Sequence, residues 1–476
     1  MARRKIKIGL VDADLLCNGT RHPNLVLMKI AGFLNDNEIE FKLIIDQDED
    51  ITSYKYIYIS RVFTFTQMPS FYENATASQK RKFRRGGTGF YANELNVNLY
   101  RKERDNDMTQ LERDTFLCKL PNHRGGLRTH GIDLARQMPY YHLYDEFVDY
   151  QESKGVNRKK YKDYLQYSIG FLTRGCIRHC PFCVNKLEDR ILPYSDLESF
   201  LDNERDEHGR LIRPFIYLWD DNFLAADPTI WRARLQELID TGRPFQFRQG
   251  LDERMLVDSP YGEEMAEMLS HAKYHGDFIF AFDNWRDRPK IEKALKIWKH
   301  YNPKKSTKFY LFCGFKQTNQ GYQKFYRDIW EIFQRIKVLM QYGCVPYIMR
   351  HEDYHHAPIS NLYIQIARWC NQQAFVKKMS FWEYSYRNQT YWEQGAGFEV
   401  PELIKPYEVF IMDYETGYYN TKDSRGKTRK ICRTLQTLLD VLEMFPEHRE
   451  ELLEMFNFKM SNLVNPKLWA NSNIIN

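Results

Sequence analysis

Three cysteines stand close together in the segment GFLTRGCIRHCPFC, residues 170–183. Cys176, Cys180 and Cys183 are spaced so that a helix would place their thiols on one face. Pro181 argues against a helix, because a proline inside a helix loses a backbone hydrogen bond and clashes with the preceding turn. The segment is therefore predicted to be a loop that presents three thiols.

Three thiols in such a loop are candidate ligands for a metal. Arg174, Arg178 and His179 surround them, and nearby cations favour the thiolate form that binds metal. Zinc would take a fourth ligand, and His179 is a candidate, although its neighbour Cys180 leaves it little room to turn inward. A four-iron cluster normally takes four cysteines, so three would leave one iron open for chemistry. The pattern favours the cluster over zinc, and both over three thiols with only a packing role.

The composition is that of a soluble, globular chain of 476 residues, of which 43% are hydrophobic and 28% are charged. The apolar segment NLVLMKIAGFL includes a lysine and is too short to span a bilayer. The N-terminal segment shows no signal-peptide pattern. Nine cysteines, most of them isolated, do not resemble a disulfide framework, which points to a reducing compartment. We therefore expect a cytoplasmic protein with no membrane partner.

The first 160 residues alternate between strand and helix patterns. KIKIGLVDA, EFKLIID and YKYIYISRVF are typical of strands, and NLVLMKIAGFLNDN is typical of an amphipathic helix. This order predicts a Rossmann-like α/β domain over residues 1–160, in which a polar, basic connecting segment begins near residue 70.

Six further strands are predicted in succession: YSIGFLTR, FIYLWDD, FQFRQ, DFIFAFD, KFYLFCGF and CVPYIMR. Most are continuous apolar runs, as expected of parallel strands covered on both faces. Helices such as PTIWRARLQELIDTG separate them. Six strand–helix units predict a partial (α/β)6 TIM-like barrel over residues 161–356, with its site at the carboxyl ends of the strands. Residues 357–476 are predicted to be mostly helical, and the fold class is α/β.

The pattern Cys-x-x-x-Cys-x-x-Cys, in a loop directly after the first of these six strands, resembles the signature of the radical S-adenosylmethionine (radical SAM) superfamily. The resemblance implies a 4Fe–4S cluster held by Cys176, Cys180 and Cys183, with S-adenosylmethionine (SAM) chelated to the open iron. One electron then cleaves SAM to a 5′-deoxyadenosyl radical, which abstracts hydrogen from an unidentified substrate. A low-potential electron donor of the flavodoxin or ferredoxin type is also implied. Phe182 occupies the aromatic position of the signature and would pack beside the adenine, or else serve as an ordinary core residue.

Asp220, Asp221 and Asn222 end the second of the six strands, in FIYLWDDNFLAADP. The next helix is predicted to begin later, with Asp227 as its N-cap and Pro228 in its first turn, so the trio is not needed for capping. The trio resembles the DDNF variant of radical SAM proteins that have an N-terminal cobalamin-binding-like domain. That resemblance implies contacts with SAM or substrate, and a structural role is the alternative.

Gln249, Asp252 and Arg254 follow the third strand, in FRQGLDERML. The resemblance implies that they hold the ribose or the carboxylate of SAM, and an arginine suits a carboxylate because its planar guanidinium donates two parallel hydrogen bonds. Helix capping by Asp252 is the alternative. Asp283 and the segment RHE at 350–352 end later strands and are candidate substrate contacts or caps.

The N-terminal domain resembles a cobalamin-binding domain in its strand and helix order, and RRGGTGF (84–90) is similar to a glycine-rich stretch of the same relatives. Methylating relatives hold cobalt through a histidine in an Asp-x-His-x-x-Gly loop. The corresponding stretch here reads DADLLCNGTRHPN and does not fit, which argues against cobalamin as a cofactor. His22 in this stretch is expected to be a loop or cap residue.

The net charge is +6, from 69 basic and 63 acidic residues. Two basic clusters, QKRKFRRGG (79–87) and KGVNRKKYK (154–162), are predicted to be solvated loops or faces. The alternative function that these features allow is a non-enzymatic zinc-binding protein that contacts nucleic acid through the basic clusters.

Overall fold

The chain divides into two compact units, which are described separately. The first comprises residues 1–249 and 272–275, and the second comprises residues 250–271 and 276–476. The predicted three-domain division at residues 160 and 356 stays a prediction. The structure, a computed structural model, describes residues 7–19, 22–91, 119–121, 127–185, 189–317, 321–400 and 403–470.

A four-stranded parallel sheet opens the first unit. Its strands are β1 (Lys7–Asp12), β2 (Glu40–Leu43), β3 (Tyr56–Ser60) and β4 (Phe83–Gly86), in the order β2-β1-β3-β4. The helix Leu25–Asp36 lies between β1 and β2 in the chain and is capped by Asn24, whose side chain accepts a hydrogen bond from a backbone N–H of the first turn. The predicted alternation of strands and helix is confirmed for the first three strands and this helix.

The core of this sheet forms because the helix keeps its apolar residues on one face. Leu27, Ile30 and Leu34 recur at spacings of three and four residues and pack with Ile8 and Leu10 of β1. All five side chains are buried. Their burial holds the helix against the sheet and so stabilises the position of β1, which ends with β3 at the carboxyl edge of the sheet.

The fourth strand lies within the basic cluster at 79–87, for which the sequence predicts a solvated loop or face, and Arg85 of this strand is exposed. Phe83 is buried and stacks on Phe71. β4 also pairs in parallel with β3. Arg84 lies over the ring of Tyr56, 4.9 Å from its centroid. The burial of Phe83 and the pairing with β3 stabilise this basic segment as a strand.

A second parallel sheet in the first unit carries the region of the three cysteines. Two short antiparallel pairs accompany it: β5 (Lys119–Pro121) with β6 (Leu127–Gly131), and β8 (Thr173–Arg174) with β9 (Leu192–Pro193). The parallel strands are β7 (Tyr167–Gly170), β10 (Phe215–Leu218) and β11 (Phe245–Phe247), in the order β11-β10-β7. Nearly all their residues are buried, as predicted for strands covered on both faces. The helix Pro228–Asp240 follows β10 and is capped by Asp227, also as predicted.

The second unit contains another three-stranded parallel sheet. Its strands are β12 (Phe278–Ala281), β13 (Thr307–Cys313) and β14 (Val345–Arg350), in that order. The helices Gly262–His271, Arg288–Tyr301 and Gly321–Gln341 accompany them. All six strands predicted for residues 161–356 are thus present, each parallel to its neighbours in its own sheet. The protein is α/β with parallel sheets, as predicted.

Helices dominate the described residues after β14. The longer ones are Ser360–Cys370, Phe381–Gly395, Tyr407–Glu415, Arg433–Met444 and Arg449–Asn457. Trp369, Phe381 and Phe456 pack around Phe333, which binds this region to the helix Gly321–Gln341. Within the ranges that the structure describes, no helix is long and apolar enough to cross a bilayer.

Candidate functional site

The three cysteines lie in an irregular loop that follows β7, as predicted. The chain enters and leaves the loop through the β8–β9 pair, in which Thr173 lies opposite Pro193. Gly175 has a φ of 102°, and a Cβ atom there would lie 2.2 Å from the carbonyl oxygen of Arg190. Glycine is therefore required at the entrance to the loop, for its conformation and for the close approach of the two chain segments.

N–H groups donate hydrogen bonds to two of the thiols. The Sγ atom of Cys176 accepts from the backbone N–H of Arg178 at 3.3 Å and from Nδ2 of Asn222 at 3.5 Å. The Sγ atom of Cys183 accepts from the backbone N–H of Asn185 at 3.4 Å. All three cysteine side chains of the loop are half-buried. Hydrogen bonds to the ligand sulfurs are a normal part of the surroundings of iron–sulfur clusters, so these contacts fit sulfur ligands of a metal.

The loop thiols are not gathered around a common point. Among the described residues, no group of three or more His, Cys, Asp and Glu side chains is arranged so that it could hold a metal ion. The loop supplies sulfur donors whose chemistry fits iron–sulfur clusters and zinc. His179, the candidate fourth ligand for zinc, is exposed. Binding of a cluster by Cys176, Cys180 and Cys183 stays a prediction.

Asp220 is buried just after β10 and accepts three hydrogen bonds. The donors are the backbone N–H of Leu172 (3.2 Å), the backbone N–H of Thr173 (2.6 Å) and the Thr173 hydroxyl (2.7 Å). Burial raises the pKa of Asp220 to about 7, although these donors act in the opposite direction. The carboxylate therefore contacts the segment that leads into the cysteine loop.

Asp221 and Asn222 contact the loop itself. Oδ2 of Asp221 accepts from the backbone N–H of Gly175 at 3.0 Å, and Oδ1 accepts from Nδ2 of Asn185 at 2.8 Å. Nε of Arg174 lies 3.4 Å from the same carboxylate. Asn222 is buried beside them and donates to a loop thiol, as described above. The structure thus brings the predicted trio together with the cysteine loop.

Two other predicted residues of the first unit are more open to solvent. Phe182 lies half-buried in the loop, between the second and third cysteines. Gln249 is exposed in the turn that follows β11. Their predicted contacts with SAM stay predictions.

Arg248 is a polar residue of this region that the sequence patterns did not single out. Its guanidinium lies 4.4 Å from the centroid of the Tyr217 ring, and Nη2 donates to Oδ2 of Asp163 at 3.3 Å. His22, in a loop as predicted, lies 3.0 Å from the same Asp163 oxygen and 3.4 Å from Nη2 of Arg248. An arginine directly after a buried strand was the signal available in the sequence.

Asp252 and Arg254 belong to the second unit, unlike the other residues predicted to contact SAM. Nε of Arg254 donates to Oδ1 of Asp252 at 2.7 Å, and Nη1 lies 3.6 Å from Oδ2 of Asp287. Arg254 is thus already paired with two carboxylates of the chain. A carboxylate of SAM would have to compete with them.

Glu253 is a second residue that the sequence patterns did not single out. It is buried, and Oε2 accepts from the backbone N–H of Ala281 at 3.0 Å. Within the described residues, Oε1 has no hydrogen-bond partner. Burial, and then the charge of Asp252, raise the pKa of Glu253 well above its ordinary value. Glu253 thus lies beside the end of β12 in surroundings that disfavour its charged form.

The candidate substrate residue Asp283 is held inside the second unit. Its carboxylate accepts from the backbone N–H of Phe312 at 3.1 Å. The buried Arg335 donates to the carbonyl oxygens of Phe282 (2.8 Å), Asp283 (3.0 Å) and Phe312 (3.1 Å). Burial raises the pKa of Asp283, while the charge of Arg335 lowers it. These contacts hold the Asp283 carboxylate in place, and its predicted contact with substrate stays a prediction.

The segment at 350–352 supports the capping alternative. His351 precedes the short 3-10 helix Glu352–His356 and accepts a hydrogen bond from the backbone N–H of Asp353 at 3.2 Å. Arg350 lies over the ring of Tyr354, 4.7 Å from its centroid. These contacts shape the turn after β14.

The fold and the site define an α/β protein with parallel sheets and a three-cysteine loop after one of the strands. A scan of the sequence against protein-family models finds no match, and a search of curated proteins finds none either. The resemblance to radical SAM proteins therefore rests on the cysteine signature and its place in the chain.

Proposed function

We propose that this protein is a radical SAM enzyme. The observation that carries the proposal is the place of the Cys-x-x-x-Cys-x-x-Cys loop, which follows β7, a buried strand of a parallel sheet, and is not helical. The proposal includes a partial (α/β)6 TIM-like barrel with β7 as its first strand, whose six strands would come from the two three-stranded parallel sheets.

Cys176, Cys180 and Cys183 would hold a 4Fe–4S cluster in this enzyme. When bound, the cluster and SAM supply reductive cleavage to a 5′-deoxyadenosyl radical, which abstracts hydrogen from the substrate. The N–H donors of Arg178 and Asn222 would stabilise negative charge on the Cys176 sulfur. A low-potential electron donor of the flavodoxin or ferredoxin type would provide the electron.

The predicted SAM contacts differ in how available their side chains are. Phe182 is half-buried and Gln249 is exposed, so both have surface to offer a ligand. Asp220 is buried with three hydrogen bonds from its own chain, and Arg254 is paired with carboxylates. We therefore assign SAM contacts to Phe182 and Gln249 in preference to Asp220 and Arg254. The proposal includes no cobalamin.

Anaerobic reconstitution with iron and sulfide tests the metal. We expect a brown protein that binds about four iron atoms per chain, because the loop offers cysteine ligands to a cubane cluster. A colourless protein that carries zinc would instead support the zinc-binding, nucleic-acid-contacting alternative.

Release of 5′-deoxyadenosine from SAM tests the activity. We expect release that depends on added reductant and falls to background in Cys180→Ala, because that variant lacks one of the three sulfur ligands. The control is Cys17→Ala, which changes a half-buried cysteine outside the loop and should leave release unchanged. Equal release by wild type and Cys180→Ala would overturn the proposal.

A further inference from the structure

Asp221 joins the two ends of the cysteine loop. One carboxylate oxygen accepts from the backbone N–H of Gly175, directly before Cys176, at 3.0 Å. The other accepts from the side chain of Asn185, two residues after Cys183, at 2.8 Å. A single side chain therefore closes the segment that contains all three cysteines.

Its two neighbours hold other parts of the same segment. Asp220 accepts from Leu172 and Thr173, which lead into the loop, at 2.6–3.2 Å. Asn222 donates to the Sγ atom of Cys176 at 3.5 Å. Three consecutive residues thus contact the approach to the loop, both of its ends and its first thiol.

The strand that carries these residues is well placed to anchor them. β10 is the central strand of its sheet and pairs with β7 on one side and β11 on the other. Asp220 and Asn222 are 1% and 3% exposed, and the Asp221 side chain is 17% exposed. Hydrogen bonds from backbone N–H groups to a buried carboxyl group are strengthened where water is largely excluded.

We propose that Asp220, Asp221 and Asn222 are positioning residues, the loop brace, which fix the ends of the cysteine loop before a metal binds. The proposal rests on the proposed function, because the metal is the one that the radical SAM reaction needs. The loop brace restricts the backbone of the loop, so that only the cysteine side chains have to reorient when a metal binds. Without it, metal binding would also have to order the loop, and affinity would fall.

Hydrogen–deuterium exchange of the metal-free, full-length protein tests the brace without any metal. In Asp221→Ala, we expect amide exchange over residues 172–185 to rise about tenfold or more, because two hydrogen bonds to a charged acceptor are lost. The matched control is Asp227→Ala, which removes an exposed carboxylate from the same connection after β10. The control should leave residues 172–185 unchanged.

Iron content after anaerobic reconstitution tests the consequence for the metal. We expect at least a twofold loss of iron per chain in Asp221→Ala, and partial recovery in Asp221→Asn, which keeps an oxygen acceptor for Gly175. Circular dichroism of each variant checks that the fold persists.

The outcomes separate this proposal from the proposed function. Loss of iron with unchanged exchange would overturn the brace and indicate that Asp221 contacts the bound group directly. Unchanged exchange with unchanged iron would also overturn it. If wild type binds no cluster, the proposed function fails, and the exchange measurement alone decides whether the brace exists.

Discussion

Buried carboxylates at the ends of parallel strands recur in this protein. Asp12, Asp220 and Asp283 stand at or just after the ends of β1, β10 and β12, and burial raises the pKa of each. Each accepts a backbone N–H from a neighbouring segment. Since a buried carboxylate is costly without such donors, these residues are suited to fixing the loops at the strand ends.

The burial of Asp12 makes the free energy of unfolding depend on pH, and this dependence can be measured. Its carboxylate accepts from the hydroxyl of Tyr144 and the backbone N–H of Leu15, and burial raises its pKa from 3.8 to about 7. The folded state therefore binds the proton more tightly than the unfolded state, so the free energy of unfolding falls as pH rises from about 4 to about 7. For one group this fall is at most about 1.4 kcal/mol per pH unit.

Asp12→Asn removes this titration and leaves the other groups in place. We expect the stability of wild type, relative to the variant, to decline between about pH 4 and pH 7 and to level off above that. Urea-induced unfolding of both proteins at several pH values measures the difference. Parallel pH profiles for the two proteins would contradict the prediction.

At the residue scale, the sequence identified the brace residues but not what they contact. Asp221 was singled out because it follows a strand in a barrel-like series, whereas its partner Gly175 lies 46 residues earlier in the chain. Local patterns do not specify which segments the sheet brings together. Glu253 was missed for a related reason, because its burial depends on packing against β12.

At the scale of elements, the strands that the sequence predicts correctly are those whose residues are hydrophobic and buried. The six strand segments between Tyr167 and Arg350 are apolar enough to be predicted as buried strands. β4 was not identified, because its FRRG sequence is mostly charged and its strand form depends on pairing with β3. A single sequence carries no sign of that pairing.

The cysteine loop gives an element-scale prediction through Gly175. Gly175→Ala would combine a left-handed backbone with a contact of 2.2 Å to a backbone carbonyl that belongs to the returning chain. We expect the variant to be destabilised by about 2 kcal/mol or more and to bind less iron, because the two segments must move apart. Thermal unfolding and iron content after reconstitution measure the two effects.

Gly209→Ala provides the control for backbone strain alone. Gly209 also has a positive φ, of 73°, and a Cβ atom there would meet nothing within 4 Å. It lies in the first unit, outside the loop. We expect a loss of stability of about 1 kcal/mol with normal iron content. Equal effects of the two substitutions would show that the close contact at Gly175 is unimportant.

At the scale of the whole molecule, the cysteines separate into two classes. Four of the isolated cysteines are buried core residues: Cys313, Cys344, Cys370 and Cys432. Burial raises the pKa of all four, to about 11 for Cys344. Cys17 is half-buried, like the three loop cysteines, and Cys118 lies outside the described residues.

This division predicts which thiols react and which of them a metal protects. In the metal-free native protein, we expect iodoacetamide to label the loop cysteines and Cys17 at least about tenfold faster than the four buried cysteines, because the reagent needs an accessible thiolate. After anaerobic loading with iron and sulfide, the loop cysteines should become protected while Cys17 continues to react. Mass spectrometry of the labelled peptides measures each site. Loop cysteines that stay as reactive as Cys17 in the loaded protein would show that their sulfur atoms do not hold the metal.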